Sequence, residues 1–135
     1  MNNAKLFDRL RALNLEPGTY AVFGSGPLGV RGIKDCHDLD IIVTEKVWRE
    51  FAARPGWAMR EMPTSGEKFL LNNSIELWKT WGPGTWNISE LIGEAEIIED
   101  LPFVRLERVL EWKRINGREK DLADIALIEA YLKSW

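Results

Sequence analysis

Leu6, Leu10 and Leu13, with Phe7 beside them, recur at the spacing of one helical face, and Glu16-Pro17-Gly18 then breaks the pattern. The spacing predicts a first helix closed by a turn. Thr19 to Phe23 is a short β-rich run that leads at once into Gly24-Ser25-Gly26-Pro27, where glycine permits a sharp turn and Pro27 suits the first position of a helix. Leu39 to Val43 reads as a strand buried on both faces. Thr44 is placed to cap a helix over Glu45 to Ala53, which Pro55-Gly56 stops.

Further strands are expected at Trp57 to Met62, Lys68 to Leu71, Ser74 to Trp78 and Ala95 to Ile98, with Gly82-Pro83-Gly84 as a loop and a short helix near Ser89 to Gly93. Pro102-Phe103-Val104 is read as the lead-in to a helix over Leu106 to Ile115, with Asn116-Gly117 as its C-terminal cap. In a last helix, Glu119 to Lys133, Leu122, Ile125, Ile128 and Leu132 form one face, which is expected to close the core. The elements together predict an α+β fold, a mixed β-sheet flanked by helices, organised as a single domain over residues 1–135.

Composition narrows the setting. At 135 residues and 45% hydrophobic, the chain can bury a core without disulfides, and Cys36 is its only cysteine, so neither a disulfide framework nor a paired-cysteine zinc site is available. A net charge of −3 argues against a surface built throughout to hold a polyanion. No apolar run approaches the roughly 20 residues that cross a bilayer, so a soluble, cytoplasmic protein with no membrane partner is expected. The seven tryptophans, Trp48, Trp57, Trp78, Trp81, Trp86, Trp112 and Trp135, are scattered along the chain and read as packing residues.

The candidate chemistry lies in Gly24-Ser25, twelve intervening residues, and then Asp38-Leu39-Asp40-Ile41. Side chains alternate along a strand, so Asp38 and Asp40 project to one side, and two adjacent carboxylates repel unless a cation lies between them or one is protonated. Asp38 alone reads equally well as a turn cap at a strand start; the apolar residues that separate and follow the pair favour a site at the edge of a core. Gly24-Ser25-Gly26 offers backbone amides and a hydroxyl suited to phosphate oxygens. Gly24-Ser25-Gly26-Pro27-Leu28-Gly29 also matches the glycine spacing of a dinucleotide site, with Glu45 downstream. Only eight residues separate Gly29 from Asp38, too few for the crossover that a parallel pair requires. No lysine follows the glycines as a Walker loop would need.

These residues resemble the nucleotidyltransferase superfamily related to DNA polymerase beta, and its small prokaryotic members in particular. The shared features are the glycine-serine turn after the first strand, the acid-apolar-acid strand, and a third carboxylate on a later strand, best matched here by Glu76 in Ile75-Glu76-Leu77. Trp112-Lys113-Arg114, Gly117-Arg118-Glu119-Lys120-Asp121 and Asp124-Ile125 look like the C-terminal helices of that group. The turn departs from the Gly-Ser followed by Ala-Arg-Gly of minimal members, and Cys36-His37 stands where they carry small polar residues.

The resemblance implies a nucleotidyltransferase fold and an enzyme that moves a nucleoside monophosphate from a nucleoside triphosphate to an acceptor. Asp38, Asp40 and Glu76 would be both catalytic and metal-binding, with Mg²⁺ or Mn²⁺ as cofactor, while Gly24, Ser25, Gly26, Lys113 and Lys120 would hold the nucleotide. Arg118 is a third candidate cation, and Lys120 and Asp124 are also spaced for an exposed ion pair. Asp121 and Asp124 read as acids that favour the helix N-terminus and buttress the fold. The acceptor, whether protein, transfer RNA or small molecule, is left open, and a partner chain or homo-oligomer could complete the site. The alternative is a catalytically weak nucleotide-binding module that serves as sensor or antitoxin-like partner of another chain.

Overall fold

A computed structural model describes residues 3–134. Among the described residues seven strands form one mixed, open sheet in the order β3-β4-β5-β2-β1-β7-β6, and six helices accompany it. The strands are β1 (Tyr20–Phe23), β2 (Leu39–Val43), β3 (Ala58–Glu61), β4 (Lys68–Asn72), β5 (Ile75–Trp78), β6 (Glu96–Ile98) and β7 (Leu101–Phe103). The helices are α1 (Asn3–Ala12), α2 (Gly26–Gly29), α3 (Glu45–Ala52), α4 (Ile88–Gly93), α5 (Leu106–Asn116) and α6 (Glu119–Lys133). Pairs β2/β5 and β1/β7 are parallel and the others antiparallel. The antiparallel pairing of β1 with β2, Tyr20 opposite Val43, agrees with the rejection of a dinucleotide crossover.

Period-two alternation divides the sheet into two cores. Val22, Leu39, Ile41, Val43, Ile75 and Leu77 meet α1 and α3 through Leu6, Phe7, Leu10, Val47, Trp48 and Phe51. On the other face Ala21, Phe23, Ile42 and Trp78 meet Leu28 of α2 and the apolar sides of α4, α5 and α6. Two-sided burial explains why β2 carries so few polar residues, and makes its one internal acid, Asp40, conspicuous. Thr44 caps α3 as expected, its hydroxyl accepting from Val47 N–H at 3.4 Å. Gly117 closes α5 in the left-handed region, φ 62°, and its N–H bonds Lys113 O.

Three expectations are corrected. Leu101–Phe103 is a strand rather than the lead-in to a helix, and it pairs with both β6 and β1. The β6–β7 hairpin turns at Glu99 and Asp100, both at positive φ (51° and 68°), and Arg11 Nη2 donates to Glu99 O at 2.7 Å. Leu122 does not join the core: it is 61% exposed, while Ile128 is buried and Ile125 and Leu132 are partly buried. Asp121 and Asp124 take the inward positions at the start of α6, drawn by the buried ammonium of Lys113. For the same reason Asp124 pairs with Lys34 and Lys113, and not with Lys120.

The tryptophans within the described residues do pack: Trp48 and Trp57 on one core, Trp78, Trp81, Trp86 and Trp112 on the other. Trp135 lies outside the described residues. Among the described residues no helix is long and apolar enough to cross a membrane.

Candidate active site

Because β1 runs antiparallel to β2 and β2 parallel to β5, the end of β1 and the beginnings of β2 and β5 meet at one edge of the sheet. Phe23 stands opposite Asp40, and Asp40 opposite Glu76. The turn at Gly24-Ser25 is therefore set directly beside the acids that follow it in sequence only after a long loop. Gly24 has φ +64°, and a Cβ there would stand 2.6 Å from Asp40 Oδ2. Only glycine both accepts that backbone and leaves room for the carboxylate. Gly26 is buried, and a Cβ on it would collide with Val22, so its role in this structure is to let α2 close on β1.

Ser25 precedes α2 without capping it: its side chain makes no capping hydrogen bond. Asp38 is exposed at the mouth of the site and Asp40 is partly buried behind it. Burial raises the Asp40 carboxyl well above the ordinary aspartate range. The Glu76 charge, a hydrogen bond shared with Glu76 and the Asp38 charge push the same way, and Lys113 opposes them. Trp78 Nε1 donates to Glu76 Oε1 at 3.1 Å and so orients the third carboxylate. Among the described residues no three His, Cys, Asp or Glu side chains are gathered as a ready metal-binding group.

Lys113 lies beneath the site. It is buried and paired with Asp124 Oδ2 at 3.0 Å and Asp121 Oδ1 at 3.5 Å. Arg118 grips Asp121 through Nε at 2.9 Å, and its backbone N–H donates to the same carboxylate at 3.1 Å, so Asp121 serves the start of α6 as expected. Lys120 and Arg118 reach the cleft wall, whereas Lys113 does not. His37 is exposed.

The acids open into a cleft of about 670 Å³. Its lining continues from Glu76 across Trp78 and Phe69 to Glu67, with Trp81 and Trp112 behind. Phe69 stacks on Trp78 at 4.5 Å, and Trp81 on Phe23 at 4.4 Å. Trp78, Trp81 and Trp112 pack in the core as expected and line this cleft as well. One signal was available: Trp78 follows Glu76 by two residues on one strand, so both face the same side.

Compared with known proteins, the chain matches no protein family and no curated sequence. The geometry of the cleft carries the functional argument.

The raised carboxyl of Asp40 has a consequence for stability. The folded state holds that proton more tightly than the unfolded chain, so stability falls as pH rises from the ordinary aspartate range through the raised value. Asp40→Asn removes the ionisation and is expected to stabilise the metal-free protein at neutral pH by roughly 1 kcal/mol. The gain should vanish in acid, below the ordinary range. Urea denaturation of both proteins in chelator across pH measures this, and an advantage that grows toward acid would contradict it.

Proposed function

We propose that the chain has the nucleotidyltransferase fold of the DNA polymerase beta superfamily and transfers a nucleoside monophosphate from a metal-bound nucleoside triphosphate to an acceptor. The observation that carries this reading is the meeting of Gly24-Ser25, Asp40 and Glu76 at one sheet edge, with Asp40 Oδ2 in the space that a side chain at position 24 would need.

In this reading Ser25 and the turn amides hold the outer phosphates, and Lys120 and Arg118 lend positive charge from the cleft wall. Asp38 and Asp40, joined by Glu76, would hold Mg²⁺ or Mn²⁺. An all-carboxylate donor set suits a hard cation, and Asp40 and Glu76 are neighbours whose mutual repulsion such a charge relieves. When bound, the cation supplies charge neutralisation at the phosphate oxygens and eases ionisation of the attacking hydroxyl. The acceptor oxygen bonds to the α-phosphorus as the bond from that phosphorus to the β-bridging oxygen breaks; pyrophosphate leaves, and Glu76 takes the hydroxyl proton. Lys113, held below by Asp121 and Asp124, moderates the charge of Asp40 rather than touching the nucleotide.

Calorimetric titration of each triphosphate into the native protein, with and without Mg²⁺, tests the reading; absence of metal-dependent binding overturns it. Ser25→Ala sharpens the test. That hydroxyl caps nothing, so thermal stability should be unchanged. Loss of one hydrogen bond to a charged phosphate should weaken triphosphate binding by roughly 10- to 100-fold.

A second reading, a nucleotide-binding module without turnover that joins another chain, is favoured by one observation. Leu122 and Leu127, on the two flanks of the buried face of α6, are 61% and 44% exposed at positions where polar residues are the rule. Metal-dependent binding without any transfer of labelled nucleotide would select it.

A further inference from the structure

We propose that the outward face of α6 is a self-association surface, on which a second copy of this chain packs its own α6 antiparallel about a two-fold axis at Ala126. The surface is independent of the transferase reading, because neither it nor its test involves a triphosphate.

Asp121, Asp124 and Ile128 set the inward direction of α6. At about 3.6 residues per turn the opposite side carries Glu119, Ala123, Ala126, Ala130 and Lys133, and all five are exposed. Leu122 and Leu127 flank that row, 61% and 44% exposed. Five apolar residues thus span about 140° of the helix on the side away from the core, where a helix that borders water is polar. A helix apolar on both its inner and outer sides is one that is covered on both.

The spacing identifies the cover. From Glu119 to Lys133 the row steps by four, three, four and three residues, the roughly 3.5-residue period that keeps two helices in contact along their length. Its centre is alanine, which offers a lipid surface little apolar area but lets a second helix axis approach to the short end of the ~8–10 Å range. Its ends carry opposite charges, seven residues either side of Ala126. Neither Glu119 nor Lys133 has an ion-pair partner among the described residues. Reversing the helix about Ala126 exchanges those ends, so Glu119 of one protomer meets the partner's Lys133, and the contact occurs twice. Parallel pairing instead sets like charge on like charge at both ends. A face complementary to its own reversed copy is the mark of a two-fold contact, and it selects a second copy of this chain over an unrelated one.

Sedimentation equilibrium of the full chain from ~1 to ~500 μM should show a monomer–dimer equilibrium with a dissociation constant of roughly 50 μM, because one helix pair buries less than a standard interface. Ala126→Glu is an exposed change that brings two carboxylates together at the axis. It should weaken dimerisation at least ~30-fold and leave the thermal stability of the monomer unchanged. Glu119→Lys and Lys133→Glu should each weaken dimerisation by ~10-fold, and mixing the two variants should restore it, since their ends are then complementary. Under mild oxidation Ala126→Cys should crosslink to its own copy, whereas Glu119→Cys, whose copies stand about 21 Å apart, should not. The native Cys36 is buried and does not compete. A dimer indifferent to Ala126→Glu, or one that crosslinks through Glu119→Cys, overturns the arrangement. A chain that stays monomeric at the highest concentration overturns the proposal and leaves the exposed leucines to the second reading above. Triphosphate binding is measured separately, so none of these results decides the transferase reading.

Discussion

The double variant Asp38→Ala/Asp40→Ala is expected to lose metal-dependent triphosphate binding by at least ~100-fold, with any transfer activity falling by as much or more. The expectation follows from the placement of the two carboxylates. Asp38 is exposed at the mouth and Asp40 lies under Gly24 beside Glu76, so two of the carboxylates proposed to hold the metal disappear together. Asp40 is a desolvated acid crowded by a like charge, and its removal relieves the fold. The variant should therefore be as stable as the native protein or more so while its metal-dependent calorimetric signal is gone. Retention of that signal in a folded double variant would remove Asp38 and Asp40 from the site.

Lys113→Met should have the largest effect on stability, a loss of about 3 kcal/mol, read from denaturant midpoints. Lys113 is one of three charged residues buried at the contact between α5 and α6, and it compensates both others. Without it Asp121 keeps Arg118 and Asp124 keeps Lys34, but both carboxylates stay where water cannot replace the missing ammonium. Burial acts to raise the carboxyl of each. Hydrogen bonds from Arg118 to Asp121, and from Lys34 and Lys113 to Asp124, outweigh it and hold both below the ordinary range. Their stabilisation is present above that range and is lost as pH falls through the lowered values. Lys113→Met should flatten this acid limb as well as lower the plateau. A variant within ~0.5 kcal/mol of native would mean that the three charges are not coupled.

Much of this architecture is legible in the pattern of residues. Thr44 before an amphipathic run, Gly117 after one, and the β-rich segments around Val22, Ile41 and Leu77 specify elements through local rules that need no knowledge of neighbours. The Glu99-Asp100 hairpin is not legible locally because Glu99 is not a residue that favours positive φ and no glycine follows it, so strand pairing and Arg11 impose that turn. Leu122 was misplaced because hydrophobic periodicity counts only apolar residues. The true inner face of α6 begins with two aspartates, whose burial depends on a lysine from another helix.

The candidate site divides in the same way. The glycine-serine turn and the spacing of Asp38 and Asp40 are properties of the chain, since strand alternation alone puts both carboxylates on one side. That Glu76 stands beside Asp40, that Gly24 yields space to its carboxylate, and that Phe69, Trp78 and Glu67 extend the same cleft are results of strand order, which sets Asp40 opposite a residue 36 positions further along the chain. Tertiary packing also withdrew Lys113 from the cleft and left Lys120 at its wall. Sequence by itself determined which chemical groups the protein possesses and which face of each element they occupy. Only the tertiary structure decided which of them share a dielectric environment, because that depends on neighbours that local periodicity does not encode.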